Sequence, residues 1–156
     1  MLQLGRIVKC GAVVATGLLA YSVLPAWAGP GASGSTVAVS GATPFGGCTA
    51  DGVPGQPGTV FPNSEVEPWI AASTVDRNGD GASDVIVGYQ QDRWNIGGGA
   101  RGVVASVLFN GAFHQVTIPG TSACVGGPKY VRATDPWVTI SPNGNAYFFT
   151  LAIDDV

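Results

Sequence analysis

The chain has 156 residues, enough for one domain, and it carries 24 glycines and 11 prolines against only 11% charged residues. Such a composition excludes a helical bundle and favours short strands joined by many turns. The formal net charge is −3, so the basic stripe that nucleic-acid binding requires is missing, and sugars, proteins, small molecules and cations are left as partners.

Residues 1–28 read as a secretory signal. Arg6 and Lys9 supply the positive start, 11–24 the apolar stretch, and Ala26-Trp27-Ala28 a small-x-small cleavage site. The apolar stretch falls short of the roughly 20 residues of a spanning helix, so a cleaved leader is expected rather than an anchor. That places the mature chain outside the cytoplasm, secreted or periplasmic, with no membrane span and with Cys10 removed. It retains five basic and ten acidic residues.

Residues 29–63 form a Gly/Pro-rich leader and loop. Within them 29–35 lack periodicity, 36–40 suit a short strand, and 41–63 suit an ordered loop held at Cys48. Cys48 and Cys124 are the cysteines left after cleavage, and an even count in an exported protein favours a disulfide over two free thiols. Closing the loop between them is worth about 4 kcal/mol by chain entropy, an upper figure because native strain reduces it.

The segment 64–156 holds an internal repeat. Glu67-Pro68-Trp69-Ile70-Ala71-Ala72-Ser73 returns as Asp135-Pro136-Trp137-Val138-Thr139-Ile140-Ser141, and in both copies an Asn-Gly turn follows (Asn78-Gly79 and Asn143-Gly144) before an apolar run. Self-similarity of this kind marks supersecondary units that bury their apolar faces on one another. Strand-like runs are expected at 69–75, 84–89, 102–109, 113–118, 137–140 and 146–153, giving an all-β antiparallel meander. Four strands from one Trp to the next are the content of a propeller blade, and the second copy supplies two. About one and a half blades cannot close a ring, so an open strand edge and self-association are expected.

Between the first repeat and its following strand lies Asp76-Arg77-Asn78-Gly79-Asp80-Gly81-Ala82-Ser83-Asp84. Oxygen side chains at loop positions one, three, five and nine, Gly at six and a backbone carbonyl at seven match the first part of a calcium loop. The ligands would be Asp76, Asn78, Asp80, the Ala82 carbonyl and Asp84, and the bound Ca2+ would be structural. The twelfth position is Val87, so the bidentate Glu of an EF-hand is missing, and a strand follows in place of an exit helix. The segment resembles the FG-GAP repeat, with 107–113 similar to that repeat's end. An Asx-rich turn that binds nothing is the alternative.

Two further motifs carry little chemistry. Gly97-Gly98-Gly99-Ala100-Arg101-Gly102 satisfies G-x-G-x-x-G but leads into a strand, which excludes a dinucleotide site. His114 is the single histidine and no G-x-S-x-G elbow accompanies it. Trp69 and Trp137 suit either packing residues that set repeat spacing or sugar-stacking platforms.

Taken together, Asn63-Ser64-Glu65-Val66-Glu67-Pro68-Trp69, Tyr89-Gln90-Gln91-Asp92-Arg93-Trp94, Gly98-Gly99-Ala100-Arg101-Gly102 and Tyr130-Val131-Arg132-Ala133-Thr134-Asp135-Pro136-Trp137 resemble the N-terminal part of bacterial secreted sialidase-like proteins. These are glycoside-hydrolase-type β-propellers with BNR (Asp-box) repeats, and the resemblance covers most of residues 44–154. It implies a truncated propeller without independent catalysis, since such active sites are assembled from several blades. Sialidases hold the substrate carboxylate with three arginines and use a Tyr nucleophile. By that analogy Arg93 and Arg132 would face a sugar acid, with Asp92 or Asp135 nearby; structural ion pairs are the alternative. The hairpin at 107–115 keeps Asn110-Gly111 but lacks the Ser, Thr and Trp of an Asp-box, and no Arg-Ile-Pro is present. A calcium-stabilised FG-GAP-like binding or adhesion module, contacting a glycan or a protein, is the competing reading.

The intact mass of the native exported protein is expected to match residues 29–156 and to rise by two hydrogens on reduction. A mass that includes the leader, or one unchanged by reductant, would remove the export or the disulfide expectation respectively.

Overall fold

A computed structural model describes residues 36–49, 58–77, 79–127 and 129–154. The expected signal segment at 1–28, the expected leader at 29–35 and Asn78 of the proposed calcium loop lie outside them.

Six strands and one 3-10 turn make up the fold: β1 Val60–Ala72, β2 Val85–Trp94, β3 Ala100–Phe109, β4 Ala112–Thr117, the turn Ala123–Val125, β5 Arg132–Ile140 and β6 Ala146–Ile153. All pair antiparallel in one open sheet of order β1-β2-β3-β5-β6, with β4 also on β3. The all-β expectation holds. On its second side β3 is divided: 104–109 pairs with β4, while Ala100 meets Ala133 of β5.

Side chains alternate across β2 and β3, and both faces are covered. On one face Val87, Tyr89 and Val104 pack with Phe45, backed by Val39, Phe113, Val125 and the joined sulfurs of Cys48 and Cys124. On the other face the β5-β6 hairpin lies across the sheet. Two glycines permit these approaches. A Cβ on Gly102 would lie 2.4 Å from Phe45 Cζ, and one on Gly88 would lie 2.8 Å from Phe148 Cε2 and 3.6 Å from Pro136 Cβ. No helix among the described residues is long and apolar enough to cross a membrane.

Several element boundaries differ from the sequence expectation. No strand forms at 36–40, and β1 starts at Val60 inside the stretch expected to be loop. Pro62 and Pro68 have no N–H for a ladder, and register shifts interrupt β1 between Phe61 and Glu65 and again between Val66 and Trp69. An edge strand tolerates both, but they erase the period-two pattern by which a strand is recognised. β2 continues to Trp94 and β5 begins at Arg132, because buried Gln90, Gln91, Asp92 and Arg132 occupy positions where polar residues read as loop.

The two outer edges are unlike. β1 carries Pro62, Glu65, Glu67 and Pro68, all of which obstruct pairing with another strand. β6, Ala146-Tyr147-Phe148-Phe149-Thr150-Leu151-Ala152-Ile153, has no charge, and Tyr147, Phe149 and Leu151 point outward at 49%, 55% and 56% exposure. Sedimentation is expected to show concentration-dependent self-association that Phe149→Lys with Leu151→Lys reverses, and a wild-type chain that stays monomeric would contradict it.

Candidate functional site

The sequence repeat becomes a structural repeat. Between Val66 opposite Gln90 and Trp69 opposite Gly88, β1 has one residue more than β2. Between Thr134 opposite Leu151 and Trp137 opposite Phe149, β5 likewise has one more than β6. In each bulge the acid before proline takes a left-handed conformation, Glu67 at φ 55° and Asp135 at φ 51°. Bulges re-aim side chains, and here both acids and both indoles face solvent while Pro136 is buried.

The two tryptophans meet. Their ring centroids lie 6.0 Å apart at 75°, an edge-to-face pair, and Phe149 extends the row with its centroid 5.7 Å from Trp137. Trp69 and Trp137 remain 49% and 47% exposed, so the rings form a surface rather than a core.

A polar chain links the two bulges beneath this surface. Gln90, wholly buried on β2, donates through Nε2 to Glu67 Oε2 and, at 3.0 Å, to Thr134 Oγ1. Thr134 Oγ1 in turn donates to Asp135 Oδ1 at 2.9 Å. Gln90 Oε1 is buried with no hydrogen-bond partner. Sequence reasoning did not single out Gln90 or Thr134, and neither lies within the repeated heptads.

The 76–84 loop is organised by its own carboxylates. Asp76 accepts the N–H groups of Gly79 at 2.6 Å, Asp80 at 3.2 Å and Gly81 at 2.8 Å. Asp80 accepts from Ala82 at 2.9 Å and from Asn110 at 2.8 Å, which ties the loop to the β3-β4 turn. Asp84 accepts the Arg77 N–H at 3.0 Å. Arg77 also donates to the Asn143 carbonyl and lies against Gly144, so the two Asn-Gly regions are neighbours. Among the described residues no group of three or more His, Cys, Asp or Glu side chains is gathered around one point.

Arg93 and Arg132 converge on the glycine run. Arg132 has no exposed surface; its guanidinium lies 4.4 Å above the Trp94 ring and donates to the carbonyls of Ile96 at 2.5 Å and Gly98 at 2.7 Å. Arg93 donates to the Gly99 carbonyl at 2.7 Å. Gly97, Gly98 and Gly99 are all left-handed, at φ 79°, 75° and 71°, which lets three successive residues turn around the two cations. Burial, and then the charge of Arg93, lower the Arg132 pKa.

The two acids paired with them by analogy lie apart in function. Asp92 is buried, accepting from Thr43 Oγ1 and Asn63 N–H, both at 2.8 Å, and from Arg101 at 3.4 Å. Asp135 belongs to the Trp137 bulge. His114 packs edge-on against Phe109, with ring centroids 6.1 Å apart. An apolar cleft of about 330 Å³ opens between Ile86 and Val107 on one side and Ile140 and Ala146 on the other, with Arg77 and Asp84 at one end.

Comparison with protein families, curated proteins and solved structures finds no match to this chain.

Arg132→Met is expected to lower unfolding free energy by about 3 kcal/mol, since two charge-assisted hydrogen bonds and the cation–π contact are lost. Arg93→Met should cost about 1 kcal/mol. Urea denaturation measures both, and equal effects would contradict the buried role of Arg132.

Proposed function

We propose that this chain is the repeat-bearing sheet of an exported, sialidase-like β-propeller protein, and that it contacts glycans through Trp69, Trp137 and Phe149 without cleaving them by itself. The observation that carries this reading is the pair of equivalent acid-Pro-Trp bulges, which sets two half-exposed indoles side by side. A repeat architecture requires that sequence-equivalent segments fold alike, and these two do. Indole faces offer large amphipathic contact area at low conformational cost, and the exposed carboxylates of Glu67 and Asp135 beside them accept hydrogen bonds from sugar hydroxyls.

The absence of independent catalysis rests on the arginines and acids. Carboxylate recognition needs guanidinium donors directed at the substrate, whereas Arg132 and Arg93 donate to the carbonyls of the 96–99 loop. A glycosidase also needs two catalytic groups facing each other across a sugar, and Asp92 is buried against Arg101 and Thr43.

A second reading, a calcium-stabilised FG-GAP-like adhesion module, is favoured by the 76–84 loop. Asp76, Asp80, Asp84 and the Ala82 carbonyl are hard oxygen donors of the kind calcium takes, and Asn78 would complete them. A bound ion would supply charge compensation to carboxylates that accept backbone N–H groups in the 76–84 loop. Both readings share a non-catalytic binding role.

Calorimetry with a sialylated oligosaccharide and its desialylated counterpart is expected to show binding that Trp69→Ala and Trp137→Ala each weaken about fivefold, matching about 1 kcal/mol of ring contact. A fluorogenic sialoside should give no turnover. Binding untouched by either substitution would remove the aromatic surface from the reading, and turnover would overturn the non-catalytic part.

A further inference from the structure

We infer that the cleft between the sheet and the β5-β6 hairpin is a binding site for a linear aliphatic chain with an uncharged hydrogen-bonding head, a medium-chain alcohol in its simplest form. The cleft follows from the way β3 is shared. Its 104–109 half pairs with β4, while β5 joins it at Ala100 opposite Ala133 and leaves the sheet plane. The hairpin therefore forms a second layer, seated where Phe148 lies against Gly88 and propped at its turn by Arg77, whose guanidinium donates to the Asn143 carbonyl. Away from these supports the layers stand apart, and the short side chains of Ala105 and Ala146 leave the gap unfilled.

The gap consists of two adjoining cavities, about 330 Å³ and about 140 Å³, that share Ile86, Val107 and Ala146 as walls. Arg77 and Asp84 border the larger cavity alone, and Val116 and Ile118 of β4 border the smaller alone, so the space is elongated from the 76–84 loop to β4. Phe109, Ile140, Val138 and Phe148 complete its apolar lining. Water is a poor occupant of such a space, because it needs polar partners that these walls do not offer. Ligand pockets are mostly apolar and run from about 300 to 1,000 Å³. An elongated gap between two sheet layers takes an extended chain in preference to a fused ring system.

The polar end selects the head. Arg77 and Asp84 meet there, and Asp84 Oδ2 accepts the Arg77 N–H at 3.0 Å. A guanidinium carries five N–H donors and a carboxylate about four acceptor positions, more than the contacts to Asn143 and to the Arg77 N–H consume. Their charges cancel, so a carboxylate head loses to Asp84 what it gains from Arg77, and an ammonium head does the reverse. A hydroxyl both donates and accepts, and it enters without a net charge to be stripped of water.

Calorimetry of the intact protein with 1-hexanol, 1-octanol and 1-decanol, in the presence of a chelator at neutral pH, tests the site. Saturable binding is expected that tightens about fourfold for each added methylene. Decanoate and decylamine should bind about tenfold more weakly than decanol, since each brings an uncompensated charge into the cleft. Asp84→Asn leaves Arg77 unopposed and should reverse that order, so that decanoate binds more tightly than decanol, a gain that misfolding cannot imitate. Ala146→Phe fills the wall common to both cavities and should abolish binding, with circular dichroism reporting that the variant is folded. No saturable binding by the wild type would overturn the site. So would affinity independent of chain length, decanoate equal to decanol in the wild type, an unchanged order in Asp84→Asn, or binding that survives in Ala146→Phe.

Discussion

Close approach over two glycines is the constraint on which the sheet depends. Phe45 rests on Gly102 of β3 and Phe148 on Gly88 of β2, from opposite sides. A methyl group at either position would displace the aromatic ring and with it the element that carries it. Because β2 and β3 are covered in this way on both faces, they hold Val87, Tyr89, Val103, Val104 and Ala105 out of solvent in a chain of modest length. The remaining strands are half-exposed and draw their order from these two. The exposed aromatic row inherits its geometry from the same contact, since Phe148 over Gly88 sets the height at which β5 presents Trp137 to Trp69.

Burial on both faces brings a polar cost that the chain meets locally. Gln90, Gln91 and Asp92 are consecutive and all wholly buried. Gln91 donates to the Gly41 carbonyl and Glu65 and accepts from Gln115, while Asp92 has Thr43, Asn63 and Arg101. The 36–49 segment therefore both seals the apolar face and satisfies the polar end of β2. Gln90 faces the hairpin, where Glu67 and Thr134 meet it. Buried polar groups of this kind specify one register, because a slip by one residue would expose every partner on the wrong face.

Much of the fold was legible in the residues, and the omissions share a cause. β4 and β6 were readable from alternation and β-branched or aromatic content, and the Cys48 to Cys124 pairing from parity and the expected export. β1 was half-read because Pro62, Asn63, Glu67 and Pro68 interrupt its pattern where it is an edge. The ends of β2 and β5 were missed because Gln90, Gln91, Asp92 and Arg132 are polar and yet enclosed by other segments, which no local window reveals. Within the site, the repeat pointed to Trp69 and Trp137 and to the acids before them, but their contact arises from the β5-β6 hairpin crossing the sheet. The arginines were noticed for their chemistry. Their partners, loop carbonyls and the Trp94 ring, depend on three consecutive left-handed glycines that composition alone registers only as a turn.

The bond between Cys48 and Cys124 gives the covering of one sheet face a dependence on redox environment. In oxidising surroundings the 36–49 segment is clamped to the Ala123–Val125 turn, and Phe45 cannot leave Gly102 without straining a covalent loop. In reducing surroundings the same segment is retained by Phe45, by the Thr43 to Asp92 hydrogen bond and by the Gly41 carbonyl, each reversible. The chain thus exists in two grades of closure, a latched one and an openable one. A ribosome-fresh copy in a thiol-rich compartment stays pliable enough to be threaded or unfolded, whereas one that has met an oxidant is committed.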